Sequence, residues 1–435
     1  MERQKTIDVL IDGGMILTMN NDRQVIDKGA ITISGDSIVD VLPADQLPKK
    51  HEAKKVINAK GMVVMPGLIN AHSHLPMTLF RGLVEDLDLD RWLEKVWKYE
   101  FSSLNESSVR AGSKLAMAEM ILGGVTCAHD MYWHYETTMA LADEIGFRLI
   151  SGPPITGIGE PDFETMVAQA RSVLDSSDKY HFVHPVIQAH STYTTTARMM
   201  GAVLEFKEEY GVPFTTHASE TQSEIKIVNE MYGQTPIELL QSYKLLDDRT
   251  ILAHCVHLKD DEIKMLAESG THVAHCPESN LKLGSGIARI MEMIEAGVNV
   301  CIGTDGAASN NDLDLLGEMK TAALLQKGFC NDPEVLKTIE VLEMATINGA
   351  RAYGMDHLTG SIEPGKKADI VLLDFRKPHL TPCMDAYANL IYSANKADVD
   401  TVLIDGRIQM EAGELTAFDE DALMAEVRSI SEKFV

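Results

Sequence analysis

The chain has 435 residues, 45% hydrophobic and 24% charged, which is typical of a folded enzyme and excludes a disordered chain. A formal net charge of -26 argues against nucleic acid as a partner, because nucleic-acid binding needs clustered Lys and Arg. No apolar run approaches the roughly 18 residues of a membrane span, so no membrane partner is expected. Six cysteines without a CxxC pair, and no signal-peptide pattern, predict a reducing, cytoplasmic location.

The two ends of the chain have the pattern of β structure. Near the start, short β-prone runs such as residues 30–33 alternate with turn signals. Near the end, residues 368–373 and 402–407 repeat this pattern. We therefore predict that residues 1–65 and 366–435 together form one small β-sandwich domain, which ends in a C-terminal helix.

Between these ends, short apolar strands alternate with stretches that are long enough for helices. One helix has a plain start and stop, because Asn105 can cap it and Gly123 and Gly124 follow it. Eight strands that alternate with helices form the (β/α)8 pattern, so residues 66–365 are predicted as an α/β domain with the TIM-barrel fold. The predicted strands are residues 67–71, 125–130, 148–151, 185–189, 213–216, 250–253, 272–274 and 299–303.

Histidines and one aspartate gather where these strands end. In a parallel barrel the carboxyl ends of all strands open onto one face, which is where barrel active sites lie. Two histidines that are two residues apart on an extended chain point to the same side. Chance is a poor explanation for this placement, because only 15 of the 435 residues are histidines. The residues concerned are His72, His74, His190, His217, His254 and Asp305.

Three imidazoles and one carboxylate make a good ligand set for one divalent ion. We predict one such ion per chain, Zn2+ in the first place and Fe2+ as the alternative. An ion of this kind lowers the pKa of bound water from about 16 to about 7, which supplies hydroxide at neutral pH. The predicted metal ligands are His72, His74, His217 and Asp305.

Hydrolysis at such an ion also needs groups that carry protons. Glu220 lies three residues after His217, just beyond the strand end, and is predicted as the proton shuttle. Asp305 can bind the ion and accept the proton of the water, and His254 can hydrogen-bond the hydroxide and orient it. The predicted catalytic residues are therefore Glu220, His254 and Asp305.

Sequence motifs extend from the first predicted barrel strand almost to the end of the chain. They are residues 66–74 (PGLINAHSH), 76–82 (PMTLFRG), 85–87 (EDL), 216–220 (THASE), 253–258 (AHCVHL), 279–286 (SNLKLGSG), 303–311 (GTDGAASNN) and 362–369 (IEPGKKAD). With these motifs the chain resembles the amidohydrolase superfamily, in its branch of aromatic and nucleoside deaminases. Within that branch it looks most like the 5-methylthioadenosine/S-adenosylhomocysteine deaminases.

The resemblance implies a TIM barrel with the same metal ligands and proton carriers, and it adds contacts to the substrate. The family's glutamate for the ribose hydroxyls falls on Glu100, and a substrate-contacting histidine falls on His190. An arginine that helps to bind the distal tail falls on Arg148. The implied substrate-binding residues are Glu100, Arg148, His190, Glu220 and Asp305.

Two departures from the family pattern bear on the metal and on the substrate. Binuclear relatives bridge two ions through a modified lysine at the end of the fourth strand, whereas this chain has Gln188 and His190 there, which favours one ion. Homocysteine-binding members carry a second arginine in the loop after the third strand. This chain has residues 159–162 (GEPD) at that place, and its next arginine is Arg171.

The implied reaction is hydrolytic release of ammonia from the 6-amino group of an adenosine-type nucleoside by metal-bound hydroxide. The candidate substrates are 5'-methylthioadenosine, S-adenosylhomocysteine, adenosine and 5'-deoxyadenosine. A pterin, a guanine-type base or an s-triazine is the alternative substrate, and we expect a homo-oligomer in either case. A non-catalytic metal-binding or assembly protein is less favoured, because it would not need the proton carriers. The H-x-E and P-C-x-x-C signature of deaminases that act on nucleic acids is absent.

Overall fold

A computed structural model describes residues 7–47, 52–159 and 161–434. Parts of the predicted terminal domain (residues 1–6, 48–51 and 435) and Glu160, in the loop after the third barrel strand, lie outside the described residues. Within the described residues, no helix is both long enough and apolar enough to cross a membrane.

The strands and helices alternate through most of the described chain. The strands are β1 (Ile7–Leu17), β2 (Val25–Ser34), β3 (Ser37–Pro43), β4 (Ala53–Asn58), β5 (Met62–Pro66), β6 (Leu68–His74), β7 (Val125–Asp130), β8 (Arg148–Ser151), β9 (Pro154–Ile155), β10 (Val183–Pro185), β11 (Ile187–Ser191), β12 (Phe214–Ala218), β13 (Thr250–His254), β14 (His272–His275), β15 (Val300–Ile302), β16 (Asp305–Gly306), β17 (Ile370–Asp374), β18 (Val399–Ile404), β19 (Arg407–Glu411) and β20 (Glu414–Leu415). The helices are α1 (Leu89–Ser103), α2 (Glu106–Leu122), α3 (Tyr135–Ile145), α4 (Phe163–Asp175), α5 (Ala197–Tyr210), α6 (Gln222–Tyr232), α7 (Pro236–Ser242), α8 (Asp260–Ser269), α9 (Pro277–Lys282), α10 (Ile290–Ala296), α11 (Leu315–Cys330), α12 (Thr338–Met344), α13 (Ile347–Ala352), α14 (Ala386–Tyr392) and α15 (Glu420–Ser431).

The two ends of the chain share one sheet. Its strand order is β20-β19-β18-β17-β5-β1-β2-β3, with β4 paired to β1. The link between the two ends is the antiparallel pair of β5 and β17, in which Val64 lies opposite Leu372. Aliphatic side chains from both ends, among them Ile31 and Ile370, are buried together against this sheet. Both ends of the chain therefore contribute strands to one sheet.

The middle of the chain forms two parallel sheets. Their strand orders are β10-β8-β7-β6-β16 and β15-β14-β13-β12-β11-β9. Only Gly152 and Pro153 separate β8 from β9, and only Gly303 and Thr304 separate β15 from β16. The segments β8–β9 and β15–β16 therefore each contribute their first strand to one sheet and their second strand to the other. A proline lacks the N–H that a strand ladder needs, which accounts for the break at Pro153.

All eight predicted barrel strands are present, although several boundaries differ. The first strand runs on to His74 instead of ending at residue 71, and the fourth is Ile187–Ser191 rather than residues 185–189. The helix that was predicted after Asn105 is α2, and the side chain of Asn105 accepts hydrogen bonds from the N–H groups of its first turn. The short strands β9 and β10 were not predicted.

A glycine allows the eighth barrel strand to approach the first. A Cβ atom on Gly303 would lie 2.7 Å from the backbone nitrogen of His72 and 2.8 Å from its carbonyl oxygen. No side chain fits in that space, because real Cβ contacts of this length essentially do not occur. Gly303 thus permits the strand that carries Asp305 to lie beside the strand that carries His72.

Arg148 requires a correction, because the structure places it away from the other predicted substrate residues. It is the first residue of β8, at the end of the strand opposite to the histidines, and it is 2% exposed. Its guanidinium donates to both carboxylate oxygens of Asp369, at 2.7 and 3.0 Å, and to Asp405 at 3.3 Å. Arg148 therefore joins the parallel sheets to the terminal sheet. Because its guanidinium is bound to Asp369 and Asp405, it does not face the pocket to bind the substrate tail as predicted.

We expect Arg148→Met to lower the free energy of unfolding by about 3–5 kcal/mol, because it removes the cation that pairs with the buried carboxylate of Asp369. Arg110→Met is the matched control, since its ion pair with Glu144 is largely exposed and should contribute less than about 1 kcal/mol. Urea denaturation of both variants measures the difference. Equal losses in the two variants would contradict the structural role of Arg148.

Candidate metal centre and substrate pocket

The carboxyl ends of four strands bring a cluster of histidines and one aspartate together. One ligand atom each from His72, His217, His254 and Asp305 lies within 4.8 Å of the other three. His74 belongs to the same cluster, because its Nε2 atom is 3.1 Å from Oδ1 of Asp305. These five side chains come from β6, β12, β13 and β16. The structure therefore gathers all four predicted metal ligands at one point.

Backbone carbonyls orient two of these imidazoles. Nδ1 of His74 lies 2.5 Å from the carbonyl oxygen of Met131, and Nδ1 of His217 hydrogen-bonds the carbonyl oxygen of His190. A carbonyl only accepts, so both Nδ1 atoms carry the proton and donate it. The Nε2 atoms of both rings are then left unprotonated, which is the form that binds a metal ion.

Two serines hold the carboxylate of Asp305 in place. The hydroxyls of Ser279 and Ser309 donate to its Oδ2 atom at 2.7 and 2.6 Å. Its Oδ1 atom is left to face His72, at 3.5 Å, and His74. The backbone of Asp305 has a φ of 61°, a left-handed conformation that an aspartate adopts at some cost and that occurs frequently at functional sites.

Unpaired nitrogens of His72 indicate that the cluster fits a divalent ion. His72 is fully buried, and neither of its ring nitrogens has a hydrogen-bond partner in the described chain. Burial lowers the pKa of His72 to about 4, so the ring is neutral. Burial alone would raise the pKa of Asp305, but the neighbouring imidazoles of His72 and His74 hold it well below the usual range. Neutral imidazoles and an ionised carboxylate are the protonation states that ligands of a metal ion require.

Glu220 and His254 lie side by side next to this cluster. Oε2 of Glu220 is 3.6 Å from Nε2 of His254, and its Oε1 atom accepts a hydrogen bond from Ser285 at 3.0 Å. Burial, with a further contribution from the charge of Asp305, raises the pKa of Glu220 to about 8. A carboxyl group with a pKa near neutrality both accepts and donates protons readily, which suits a proton shuttle.

An asparagine fixes the tautomer of His254. Nδ2 of Asn280 is 2.9 Å from Nδ1 of His254, so this nitrogen accepts a hydrogen bond and the ring proton lies on Nε2. Burial lowers the pKa of His254 to about 4, which keeps the ring neutral. His254 therefore presents an N–H donor toward Glu220 and the centre of the cluster.

A pocket of about 870 Å³, including open solvent at its mouth, leads to the cluster. This volume falls in the range of small-molecule sites. Predicted residues on its wall are His74, Glu100, His190, His217, Glu220, His254 and Asp305. The remaining wall is largely aromatic and aliphatic, with Met77, Leu89, Trp92, Leu93, Trp97, Met131, Tyr132, Trp133, Pro154, Thr156, Ile158, Ser191, Tyr193 and Glu224.

Two predicted substrate residues face this pocket from different elements. Glu100 is on α1 and is 4% exposed. His190 is on β11, where its Nδ1 atom lies 3.1 Å from the hydroxyl of Thr194 and its ring contacts the edge of Trp97. Burial lowers the pKa of His190 to about 3, so it is a neutral hydrogen-bonding group.

Several residues of the site were not predicted. Asn280, Ser279 and Ser309 lie inside motifs that were recognised, but the motifs did not indicate which side chains they hold. Tyr132 follows the end of β7, and this position after a strand end was the available signal. Glu224 accepts a hydrogen bond from the backbone N–H of Glu220 at 2.8 Å, and nothing in the sequence indicated that contact.

The fold and the cluster place the chain among α/β proteins that carry metal-binding residues at the carboxyl ends of parallel strands. A model of the amidohydrolase family matches residues 63–409. The chain therefore belongs to the amidohydrolase family, as the sequence motifs predicted.

Known proteins that resemble the chain cover it almost completely. A 5-methylthioadenosine/S-adenosylhomocysteine deaminase of Moorella thermoacetica is 43% identical, over 93% of this chain and 94% of the relative. A 5'-deoxyadenosine deaminase of Methanothermobacter thermautotrophicus is 41% identical, over 96% of each chain. The crystal structure of an adenosine deaminase from Xanthomonas campestris with bound zinc is 34% identical, over 98% of each chain, with a TM-score of 0.96. Family and structural match together support a TIM-barrel fold and a metal-binding cluster.

We expect the purified protein to carry close to one divalent ion per chain. His217→Ala and Asp305→Asn should each lose most of the ion, because each removes one ligand of a small set. His257→Gln is the matched control, since His257 lies near the site but hydrogen-bonds the carbonyl of Ser285 at 2.7 Å. Elemental analysis of the three variants checks this. Two ions per chain, or a full complement in His217→Ala, would contradict the proposed ligand set.

Proposed function

We propose that the chain hydrolyses adenosine-type nucleosides, replacing the 6-amino group by oxygen and releasing ammonia. The class of hydrolytic deaminase is confirmed by the family and by the names of the relatives. The observation that carries the substrate assignment is the pocket itself. Its lining includes a buried carboxylate, Glu100, together with residues of the metal-binding cluster and Glu220.

The residues His72, His74, His217 and Asp305 would hold one divalent ion, for which Zn2+ is our first choice. When bound, such an ion lowers the pKa of water and thereby supplies a nucleophile at neutral pH. The two serines on Asp305 and the two carbonyls on the imidazoles support this by keeping the ligand atoms in place. Gln188 hydrogen-bonds His129 and the carbonyl of Gly152 instead of offering a bridging ligand, which supports a single ion.

The protons are moved by Glu220. In the proposed reaction it takes a proton from the attacking water and delivers it to the ring nitrogen beside the amino group. It then passes on the second proton of that water, which Asp305 takes up first, to the departing amino group, which leaves as ammonia. His254 donates a hydrogen bond from its Nε2–H group to the attacking oxygen and so orients that oxygen. Asp305, ionised and next to both, accepts the remaining proton.

Glu100 is the proposed ribose ligand. A carboxylate accepts hydrogen bonds, and the 2' and 3' hydroxyls of a ribose donate them. His190, a neutral imidazole with one nitrogen bonded to Thr194, is the proposed contact to the purine ring. Arg148 takes no part in this proposal, because its guanidinium is bound to Asp369 and Asp405.

The charge of the pocket favours an apolar 5' substituent. The lining residues of the described chain include Glu100, Glu220, Glu224 and Asp305 but no lysine or arginine. A zwitterionic amino-acid tail would bring its own carboxylate to this acidic wall without a cation to pair it. We therefore rank 5'-methylthioadenosine, 5'-deoxyadenosine and adenosine above S-adenosylhomocysteine.

We also propose that the two parallel sheets close into one eight-stranded barrel. The segments β8–β9 and β15–β16 each pair with both sheets, and one buried cluster takes Ile69 and Cys127 from one sheet and Ile251 and Cys301 from the other. The division into residues 1–65, 66–365 and 366–435, with a β-sandwich from both ends, is proposed on the same basis. A cytoplasmic location and a homo-oligomer stay predictions.

Glu220→Gln should lower kcat by about 10²–10⁴-fold, which is the usual contribution of a general acid–base group. Its ion content and KM should stay near those of the unchanged protein, because the amide fills the same volume. Glu230→Gln, at an exposed position of α6, is the matched control and should be unaffected. Ammonia release measures turnover. Near-normal turnover in Glu220→Gln would assign the proton transfers to another residue.

Substrate choice is tested with a panel of nucleosides and free bases. We expect each adenosine derivative to be deaminated faster than adenine, because adenine leaves the buried carboxylate of Glu100 without the two ribose hydroxyl donors, at a cost of several kcal/mol. Glu100→Ala should narrow this gap, mainly by raising KM for the nucleosides. Glu94→Ala, at an exposed position of α1, should change neither value.

Rates of ammonia release from 5'-methylthioadenosine, 5'-deoxyadenosine, adenosine, S-adenosylhomocysteine, adenine, guanine, pterins and s-triazines give the result. Faster deamination of a pterin, a guanine-type base or a triazine than of any adenosine derivative would overturn the nucleoside assignment.

A further inference from the structure

Two aromatic side chains hold the carboxylate of Glu100. The phenol of Tyr132 donates to Oε1 at 2.5 Å, and the indole N–H of Trp133 donates to Oε2 at 3.4 Å. Both donors follow the end of β7, whereas Glu100 is on α1. The contacts therefore tie the helix that covers the pocket to the loop that leaves the second barrel strand.

These contacts leave part of the carboxylate available. An ionised carboxylate has about four acceptor positions on its two oxygens, and the two aromatic donors occupy one position on each oxygen. Each oxygen of Glu100 thus keeps capacity for one more donor. Two neighbouring hydroxyls on one sugar ring present two donors at matching spacing. A sugar without its 2' and 3' hydroxyls presents neither of these two donors.

The same turn also holds a predicted metal ligand. The carbonyl oxygen of Met131 accepts from Nδ1 of His74 at 2.5 Å, and Met131 is directly followed by Tyr132. The rings of His74 and Tyr132 lie 6.3 Å apart. Three consecutive residues, 131–133, therefore orient one imidazole of the metal cluster and both oxygens of Glu100. This turn therefore fixes the position of Glu100 relative to the metal ligand His74.

We propose that Tyr132 and Trp133 are positioning residues for Glu100, and that they make the pocket selective for nucleosides with an intact 2',3'-diol. Tyr132 has the shorter contact and contributes more than Trp133. This inference rests on the proposed function. It adds the residues that impose ribose selectivity, which act through Glu100 and do not touch the reacting atoms.

Tyr132→Phe is the central test, because it removes the hydroxyl and keeps the ring. We expect KM for adenosine to rise about tenfold, as befits the loss of a hydrogen bond to a charged group, with kcat changed by less than about threefold. The loss in kcat/KM for 2',3'-dideoxyadenosine should be at least about fivefold smaller. Trp133→Phe should also lower kcat/KM more for adenosine than for 2',3'-dideoxyadenosine, but by a smaller factor than Tyr132→Phe.

Tyr135→Phe is the matched control, since Tyr135 begins α3 and does not line the pocket. It should leave both substrates unaffected. Thermal unfolding of all variants separates a loss of positioning from a loss of folding. A general structural role for Tyr132 would lower kcat/KM for both substrates equally, and that result would overturn the inference, as would unchanged kinetics with adenosine.

The rates of the unsubstituted protein distinguish failure of this inference from failure of the proposed function. If it deaminates adenosine and dideoxyadenosine equally well, ribose selectivity is absent and the inference fails, whereas the nucleoside deaminase assignment survives. If it deaminates none of the adenosine derivatives of the panel, the proposed function itself fails.

Discussion

The rest of the site depends on the contacts of the Asp305 carboxylate with His72 and His74. The carboxylate lies where the last barrel strand meets the first, since Asp305 pairs with Ser73, between His72 and His74. One oxygen is held by Ser279 and Ser309, and the other faces the two histidines of the first strand. Asp305 therefore contacts the strand that carries His72 and His74, and it brings the predicted metal ligands together at the same place. Gly303 makes this contact possible by leaving no side chain between the two strands.

Charge within the pocket is kept low although many titratable groups line it. Burial keeps His72, His190 and His254 neutral, and it raises the pKa of Glu220 to about 8 and that of Glu224 to about 7. The firmly ionised group at the centre is thus Asp305. A divalent ion offsets that charge, and an uncharged purine adds none. The same reasoning explains why a substrate with a charged tail fits this wall poorly.

Much of the fold and of the site could be predicted because strand ends are visible in a sequence. Short apolar runs that alternate with helix-length stretches located the eight strands, and the rule that parallel strands share one carboxyl edge brought His217 and Asp305 together. The family and its class of reaction, which the motifs predicted, are confirmed by the family model and by the relatives.

The remaining features depend on contacts between distant parts of the chain. Arg148 begins its strand instead of ending it, and its partner Asp369 lies 221 residues away, so its role in joining two sheets could not be read locally. The contact from Asn280 to His254 and the contact from Tyr132 to Glu100 likewise join different elements of the chain. Family motifs marked some of these residues, but only the packed structure shows which side chain each one holds.

The most direct measurement is an anomalous difference map from crystals of the zinc-loaded protein, recorded on both sides of the zinc absorption edge. A single strong peak should lie within about 2.0–2.2 Å of a ligand atom from each of His72, His74, His217 and Asp305, the distances expected for zinc bound to nitrogen and oxygen. His254 should remain outside that shell and keep its hydrogen bond to Asn280. Two peaks, or one peak at a different set of side chains, would contradict the single metal centre proposed for these strand ends.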